Sequence, residues 1–352
     1  MREITVDQFI QLNNATAVDV RSPGEFKEFH IPGSVNIPLF TDEERARIGT
    51  IYKQEGANIA KWKAMELVSP KIPSLLKDIK ALHEIGAEPV IYCWRGGMRS
   101  KAVATFIAFA GISVPRLIGG YRAYRQYILE KIPFMLPEKA VTLHGMTGVG
   151  KTDVLKGLHA KGLPVIDLEE LAGHRGSIFG TFGLFPGNNQ KTFDSLLFKS
   201  LTEIINSSFF IIEAESKRIG KVVLPDELLR KKQLGTNIYL QASMTSRVER
   251  IYHDYCLPYL DEDWFHEKVI ERLSYIKKRI KSHEINASLD DAVTKRAYKS
   301  VILILLKEYY DPRYAHKQME YSEPFHLIDA ENTESAVLDI MELIQTQTAL
   351  VH

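Results

Sequence analysis

Cysteine is nearly absent from this chain: Cys93 and Cys256 are the only two in 352 residues. Two thiols cannot build a disulfide framework, which points to a reducing compartment. No run of about 18 apolar residues occurs, so a membrane span is not expected. The first residues, MREITVDQFIQLNN, contain no apolar stretch of the kind a secretory signal requires. Charge of one sign is lacking too, since the net charge is +1. Residues 1–136 are slightly basic and the remainder slightly acidic, so any RNA contact needs a local basic stripe rather than a global field. Internal repeats and low-complexity tracts are missing as well. A cytoplasmic enzyme of ordinary composition, long enough for two domains, is the expectation.

The chain reads as α/β, with short apolar strands alternating with amphipathic helices. Ala17–Val20 and Pro89–Tyr92 are predicted as buried parallel strands, and Arg99–Ala110 as a helix stopped by Gly111. A charged, helix-prone stretch near residues 40–72 reads as an insertion. Ile132–Pro137, with two prolines, reads as a linker between a domain over 1–132 and another over 137–352. In the second domain Ala140–His144, Leu163–Asp167, Phe209–Glu213, Asn237–Gln241 and Phe325–Ile328 are predicted strands. Thr152–Lys161 and most of Trp264–Leu306 are predicted helical.

The segment Cys93-Trp94-Arg95-Gly96-Gly97-Met98-Arg99-Ser100 follows a strand and opens a helix. Backbone N–H groups and the positive end of the helix dipole converge at such a place. Gly96 and Gly97 let the backbone curl, and Arg95 and Arg99 add positive charge. An anion cradle around a thiol favours the thiolate, which can act as nucleophile and carrier of a transferable group. A lone cysteine after a strand is usually a small buried hydrophobe; the flanking Arg and Gly residues favour a reactive thiol at Cys93. Cys256 has no such context and reads as structural. Trp94 can stack a base or simply pack.

Gly145-Met146-Thr147-Gly148-Val149-Gly150-Lys151-Thr152 satisfies the phosphate-loop pattern between a predicted strand and helix. Its N–H groups would cradle a diphosphate, Lys151 would neutralise oxygens, and Thr152 could ligate Mg²⁺. The loop reads phosphates and does not by itself identify ATP. Glu213, ending the FFIIE run, is preferred over Glu215 as a metal-facing acid, the alternative being an exposed strand-end carboxylate. His174-Arg175-Gly176-Ser177, followed by a glycine-spaced stretch with Phe179 and Phe182, could form a diphosphate or prenyl pocket; buried anchors in a loop are the plainer reading. Basic clusters at 217–221, 230–232 and 277–281 are ordinarily solvated faces unless they converge in space.

Val18-Asp19-Val20-Arg21 through Phe26, His30-Ile31-Pro32-Gly33 through Pro38, and Leu117-Ile118-Gly119-Gly120-Tyr121 through Tyr124 flank the cysteine loop in order. They resemble the signatures of rhodanese domains, with Asp19 and Arg21 as structural partners and His30 fixing a turn. Ordinary sulfur-transferring rhodaneses separate Cys and Arg by four residues, whereas five lie between Cys93 and Arg99. The longer loop resembles that of rhodanese-fold phosphatases and suits a tetrahedral anion such as phosphate or its chalcogen analogue.

Together with the phosphate loop and His174-Arg175-Gly176-Ser177, the chain resembles the tRNA 2-selenouridine synthases over essentially its whole length. That resemblance implies a transferase acting on tRNA that carries wobble 2-thiouridine. Geranyl diphosphate and selenophosphate would be co-substrates, a selenophosphate-supplying enzyme a partner, and membrane contact is not implied. It further implies geranylation of the sulfur beside the phosphate loop, and selenium delivery at Cys93. No tightly bound cofactor is predicted. An ATP-dependent sulfurtransferase, formed by fusing a kinase to a rhodanese, and a rhodanese-fold phosphatase are the alternative enzyme readings; an RNA-binding module is the non-enzymatic one.

Overall fold

The computed structural model describes residues 2–174, 187–313, 321 and 324–349. The chain divides into two compact units: Met1–Ile132 with Lys191–Lys199, and Pro133–Gln190 with Ser200–His352. Each is built on its own parallel sheet.

The first sheet contains β1 (Glu3–Ile4), β2 (Ala15–Asp19), β3 (Val35–Asn36), β4 (Glu88–Tyr92) and β5 (Arg116–Leu117). Their order is β1-β5-β4-β2-β3, and every pairing is parallel. Strands covered on both faces must be apolar throughout. Val18, Val90, Ile91 and Tyr92 accordingly have no exposed surface. Val103 and Ile107 of the Met98–Phe109 helix pack with Ile79 of the Ile72–Glu84 helix against Val18 and Ile91. The charged stretch after Leu39 forms two helices, Asp42–Gln54 and Ala57–Val68. Thr41 and Glu44 start the first with reciprocal side-chain caps, satisfying N–H groups that a helix end leaves open.

The second sheet contains β6 (Lys139–His144), β7 (Val165–Ile166), β8 (Phe209–Glu213), β11 (Thr236–Gln241) and β12 (Phe325–Asp329). It runs β12-β11-β6-β8-β7, again all parallel, while β9 (Arg218–Ile219) and β10 (Val222–Val223) form a small antiparallel pair apart from it. The phosphate-loop strand β6 is therefore central. Register sets Leu143 opposite Glu213, which brings the end of FFIIE beside the start of the loop. The helices Asp263–Lys277, His283–Thr294 and Tyr298–Leu305 fill most of 264–306 and share a core of Phe265, Leu273, Leu289 and Ile302. Among the described residues no helix is long and apolar enough to cross a membrane.

One segment departs from expectation. The unit boundary falls within Ile132–Pro137 as the linker reading has it, but the segment is mostly helical: the helix that begins at Gly120 runs on to Met135 with Pro133 inside it. Proline removes one backbone donor and crowds the preceding turn. Here it sits in the last turn, and buried Ile128 and Ile132 anchor the helix on either side of that turn's start.

Candidate functional sites

The cysteine loop is held from outside. Cys93 is buried, with Sγ 3.2 Å from the Ser100 hydroxyl. The Tyr121 N–H donates to the Cys93 carbonyl at 2.9 Å, and the Arg122 N–H to that of Trp94 at 3.0 Å. The Arg116 guanidinium donates to the Gly96 carbonyl. In a trans peptide the C=O and following N–H point opposite ways. Holding these three carbonyls therefore turns the N–H groups of Trp94, Arg95 and Gly97 away from the 116–122 segment. Gly96, at φ +61°, would place a Cβ 2.7 Å from the Gly119 nitrogen and 3.0 Å from that of Gly120, so Gly96 interlocks with this glycine pair.

The two loop arginines differ. Arg99 lies against Glu25, with Nη2 3.2 Å from Oε1, and Glu25 also lies 3.7 Å from Arg45. Burial would raise the Glu25 carboxyl, but the hydrogen bond and charge of Arg99 outweigh it and hold the group below its ordinary range. Arg95 is exposed and has no ion-pair partner among the described residues. Met98 is exposed beside it.

Trp94 packs with its ring 5.8 Å from Tyr121 and nearly parallel to it, and 5.5 Å from Phe29. Lys191 Nζ stands 5.1 Å from the Trp94 ring centre and 3.8 Å from that of Phe29. Beneath them Arg21 and Asp19 form a buried ion pair at 2.6 Å, and Arg21 also donates to the Phe29 carbonyl. His30 stacks on Phe26 at 4.1 Å and contacts its carbonyl through Nδ1, inside the turn after Pro23–Glu28. Tyr124, in the third signature, is buried against Tyr121 and Phe198.

The phosphate loop is braced in a parallel manner. Gly145, Gly148 and Gly150 all adopt positive φ, at 145°, 79° and 96°. Lys151 Nζ donates to the Gly145 carbonyl at 2.8 Å. Two arginines of the Met244–Tyr255 helix hold further carbonyls: Arg247 that of Thr147 at 2.9 Å, and Arg250 that of Val149 at 2.7 Å. The N–H groups of Met146, Gly148 and Gly150 are thereby turned the other way. Arg247 is itself fixed by a two-point contact with Asp311 at 2.6 and 3.0 Å. The loop, with Thr152, Glu169, Glu215, Arg250 and Tyr255, borders a cavity of about 300 Å³. That volume is ample for a diphosphate.

Glu213 ends β8 fully buried, accepting the Glu169 N–H at 2.7 Å. Burial raises its carboxyl well above the ordinary value, reinforced by the charges of Asp167, Glu169 and Glu215. Burial also lowers the Lys151 ammonium, with Glu215, Glu169 and Glu213 opposing that effect. Among the described residues no group of three or more His, Cys, Asp and Glu side chains is arranged to hold a metal. His144, immediately before the loop, is buried, hydrogen-bonded to Asn237 at 2.9 Å and depressed by burial to about 4.

His174 is half-buried, its N–H donating to the Glu169 carbonyl at 3.0 Å, and burial lowers its ring. Arg175, Ser177, Phe179 and Phe182 lie outside the described residues. The basic clusters are mostly occupied: Lys217 pairs with Asp226, Arg230 with Glu227 and Lys277 with Asp290, while Lys232 is buried against the Glu215 carbonyl. Cys256 is buried in the helical core and its thiol is pushed up to about 12 by burial.

Nothing in the motif residues announced Glu25, Arg116, Arg247, Arg250 or Lys191. Arg247 and Arg250 alone gave a weak signal, as arginines at positions 4 and 7 of the amphipathic helix after a predicted strand.

The profile of the rhodanese-like domain matches residues 5–127, and that of the tRNA 2-selenouridine synthase AAA domain matches residues 138–348. Among similar proteins, a tRNA 2-selenouridine synthase of Bdellovibrio bacteriovorus is 35% identical over 73% of this chain and 69% of its own. One from Bordetella petrii is 33% identical over 89% of both chains. Another, from Pseudomonas syringae pv. syringae, is 34% identical over 87% of this chain and 89% of its own.

Proposed function

Since the chain belongs to the tRNA 2-selenouridine synthase family, we propose that it replaces the sulfur of wobble 2-thiouridine in tRNA with selenium by two successive transfers. In the first, the thiocarbonyl sulfur attacks the allylic carbon of geranyl diphosphate. The carbon–oxygen bond breaks and diphosphate leaves. In the second, the selenium of selenophosphate bonds to C2 of the base and the geranylthio group leaves as geranylthiol; water then cleaves the selenium–phosphorus bond and phosphate departs. Alkylation makes sulfur a better leaving group and C2 more electrophilic, which is the chemical reason for the order.

The observation that carries this reading is the coexistence of two glycine-rich loops whose carbonyls are tied by neighbouring donors: 93–97 by the 116–122 segment and 145–150 by Lys151, Arg247 and Arg250. Aligned N–H groups stabilise charge that develops on a leaving or transferring anion. The phosphate loop suits diphosphate departure, with Lys151 as counter-charge. In the other loop, exposed Arg95 would meet selenophosphate, Arg99 would position the loop through Glu25, and the Cys93 thiolate would assist the displacement. The prenyl chain would lie along the segment containing Phe179 and Phe182, beside His174, Arg175 and Ser177.

Thr152 and Glu215, both on the cavity wall, are the oxygen donors that would hold Mg²⁺ in this reading; Glu213 does not line the cavity, being buried and bonded to the Glu169 N–H. Bound there it would draw off diphosphate charge. No other resident cofactor enters this reading, nor does a membrane. A selenophosphate-forming enzyme is the expected supplier.

Mass spectrometry of thiolated tRNA incubated with the protein, geranyl diphosphate and selenophosphate tests the whole scheme. Wild type should give the selenium mass shift; Cys93→Ala should accumulate geranylated tRNA; Lys151→Ala should leave thiouridine untouched. Loss of both steps in Cys93→Ala would sink the division of labour.

A further inference from the structure

The hairpin of helices 42–54 and 57–68 turns its small residues inward: Ala60 and Val68 are buried, and Ala64 packs against the first unit's core. Its outer face is apolar as well. Trp62 is 74% exposed and Tyr52 61%, with Ile59 at 44% and Met65 at 47%. Ile59, Trp62 and Met65 recur every three residues and so form one stripe on the second helix. Neither Trp62 nor Tyr52 contacts another aromatic ring among the described residues. Folding does not require these side chains, and contiguous exposed apolar surface of this kind marks an interaction site.

Charge decides the occupant. The hairpin as a whole balances five basic residues with five acids, but Asp42, Glu43, Glu44 and Glu66 stand towards its base. Between positions 45 and 63, Arg45, Arg47, Lys53, Lys61 and Lys63 face only Glu55; Arg45 pairs with Glu25 and Lys63 with Glu66. Trp62 lies between two lysines in sequence and Tyr52 precedes a third. Arg47, Lys53 and Lys61 are exposed and make no ion pair among the described residues. Rings interleaved with free cations match a single-stranded nucleic-acid loop, whose unstacked bases lie on aromatic faces while phosphates meet Lys and Arg. A protein partner or second copy would bring apolar surface but has no particular need of three cations without ion pairs interleaved with the rings.

The hairpin also begins at the thiol loop. Asp42 accepts the Gly24 N–H at 2.9 Å, and Arg45 approaches Glu25, which holds Arg99. Helical rise places Trp62 only about 6 Å along the axis from the level of Arg45 in the antiparallel neighbour. We propose that this hairpin docks the anticodon loop of the tRNA substrate, with Trp62 and Tyr52 as stacking platforms and Arg47, Lys53 and Lys61 as phosphate contacts. The proposal rests on the tRNA-modifying function given above. It assigns substrate recognition to a surface outside both anion loops.

The test measures binding of thiolated tRNA to the full chain over a salt series, with selenium incorporation followed in parallel. Trp62→Ala should weaken binding at least fivefold, and Trp62→Phe should retain most of it. The combined Arg47→Gln, Lys53→Gln and Lys61→Gln variant should lower the slope of log affinity against log salt by about 2. Thermal midpoints and alkylation of Cys93 should match wild type, showing the fold and thiol loop intact. If wild type binds and modifies tRNA while the variants do so equally, the hairpin is not the docking surface. If Trp62→Ala instead abolishes a dimer seen by sedimentation and leaves tRNA affinity unchanged, a second copy covers the stripe and the proposal is wrong. A wild-type chain that neither binds nor modifies tRNA would overturn the proposed function together with it.

Discussion

At Gly120 a methyl group has nowhere to go: a Cβ there would stand 2.0 Å from the Cys93 carbonyl oxygen and 2.5 Å from the Gly96 nitrogen. The backbone also has φ +58°, a conformation costing an L side chain about 1 kcal/mol before any clash. Gly120→Ala should therefore displace the thiol loop, abolishing selenium incorporation while geranylation continues. Normal selenation by this variant, measured by mass spectrometry, would show that the interlock is dispensable. His144 gives a second prediction of the same scale. Its ring falls from 6.5 to about 4 on folding, so the unfolded chain binds more protons between those values. Stability is complete above about pH 6.5 and declines as pH drops towards 4, by about 3 kcal/mol in all. Urea midpoints across that range should show the decline in wild type, and His144→Gln should flatten it.

Elements act here by holding other elements' carbonyls. Asp311 fixes Arg247, and Arg247 fixes the phosphate loop, so Arg247→Met removes a brace and leaves a half-shielded carboxylate unpaired. A loss of about 3 kcal/mol in urea unfolding is expected. Weaker binding of inorganic diphosphate by calorimetry should accompany it; unchanged diphosphate affinity would remove Arg247 from the loop's support. This is also where sequence reading ran out. Both loops were legible because glycine spacing, a preceding strand and a following helix are local properties, and β4, β6, β8 and β11 showed as apolar runs. Arg247 was not legible, since its partners lie about 100 residues back and 64 ahead, and one arginine on an amphipathic helix looks like any other. Glu25, 74 residues from Arg99, was hidden for the same reason. Ile132–Pro137 does contain the point where the chain passes from one unit to the other, but its two prolines hid the helix, which buried Ile128 and Ile132 keep going to Met135.

On the scale of the molecule, two sheets carry two loops in a chain of the tRNA 2-selenouridine synthase family, one unit rhodanese-like and the other built around a phosphate loop. If the two transfers are separate reactions on one base, defects in them should complement. A mixture of Cys93→Ala and Lys151→Ala proteins should restore selenated tRNA, because geranylated product released by the first is substrate for the second. Failure of the mixture, with each variant folded and binding tRNA, would mean that the intermediate never leaves the protein that made it. The interlock of Gly96 with Gly119 and Gly120 bears on a different matter, the transplanting of such chemistry into other scaffolds. The eight residues from Cys93 to Ser100 are not a portable cassette. Their shape is written by a second strip, Arg116 to Arg122, which supplies the clamp and the empty space. A designer would have to move both strips together, at a fixed separation, or obtain a cysteine without its cradle.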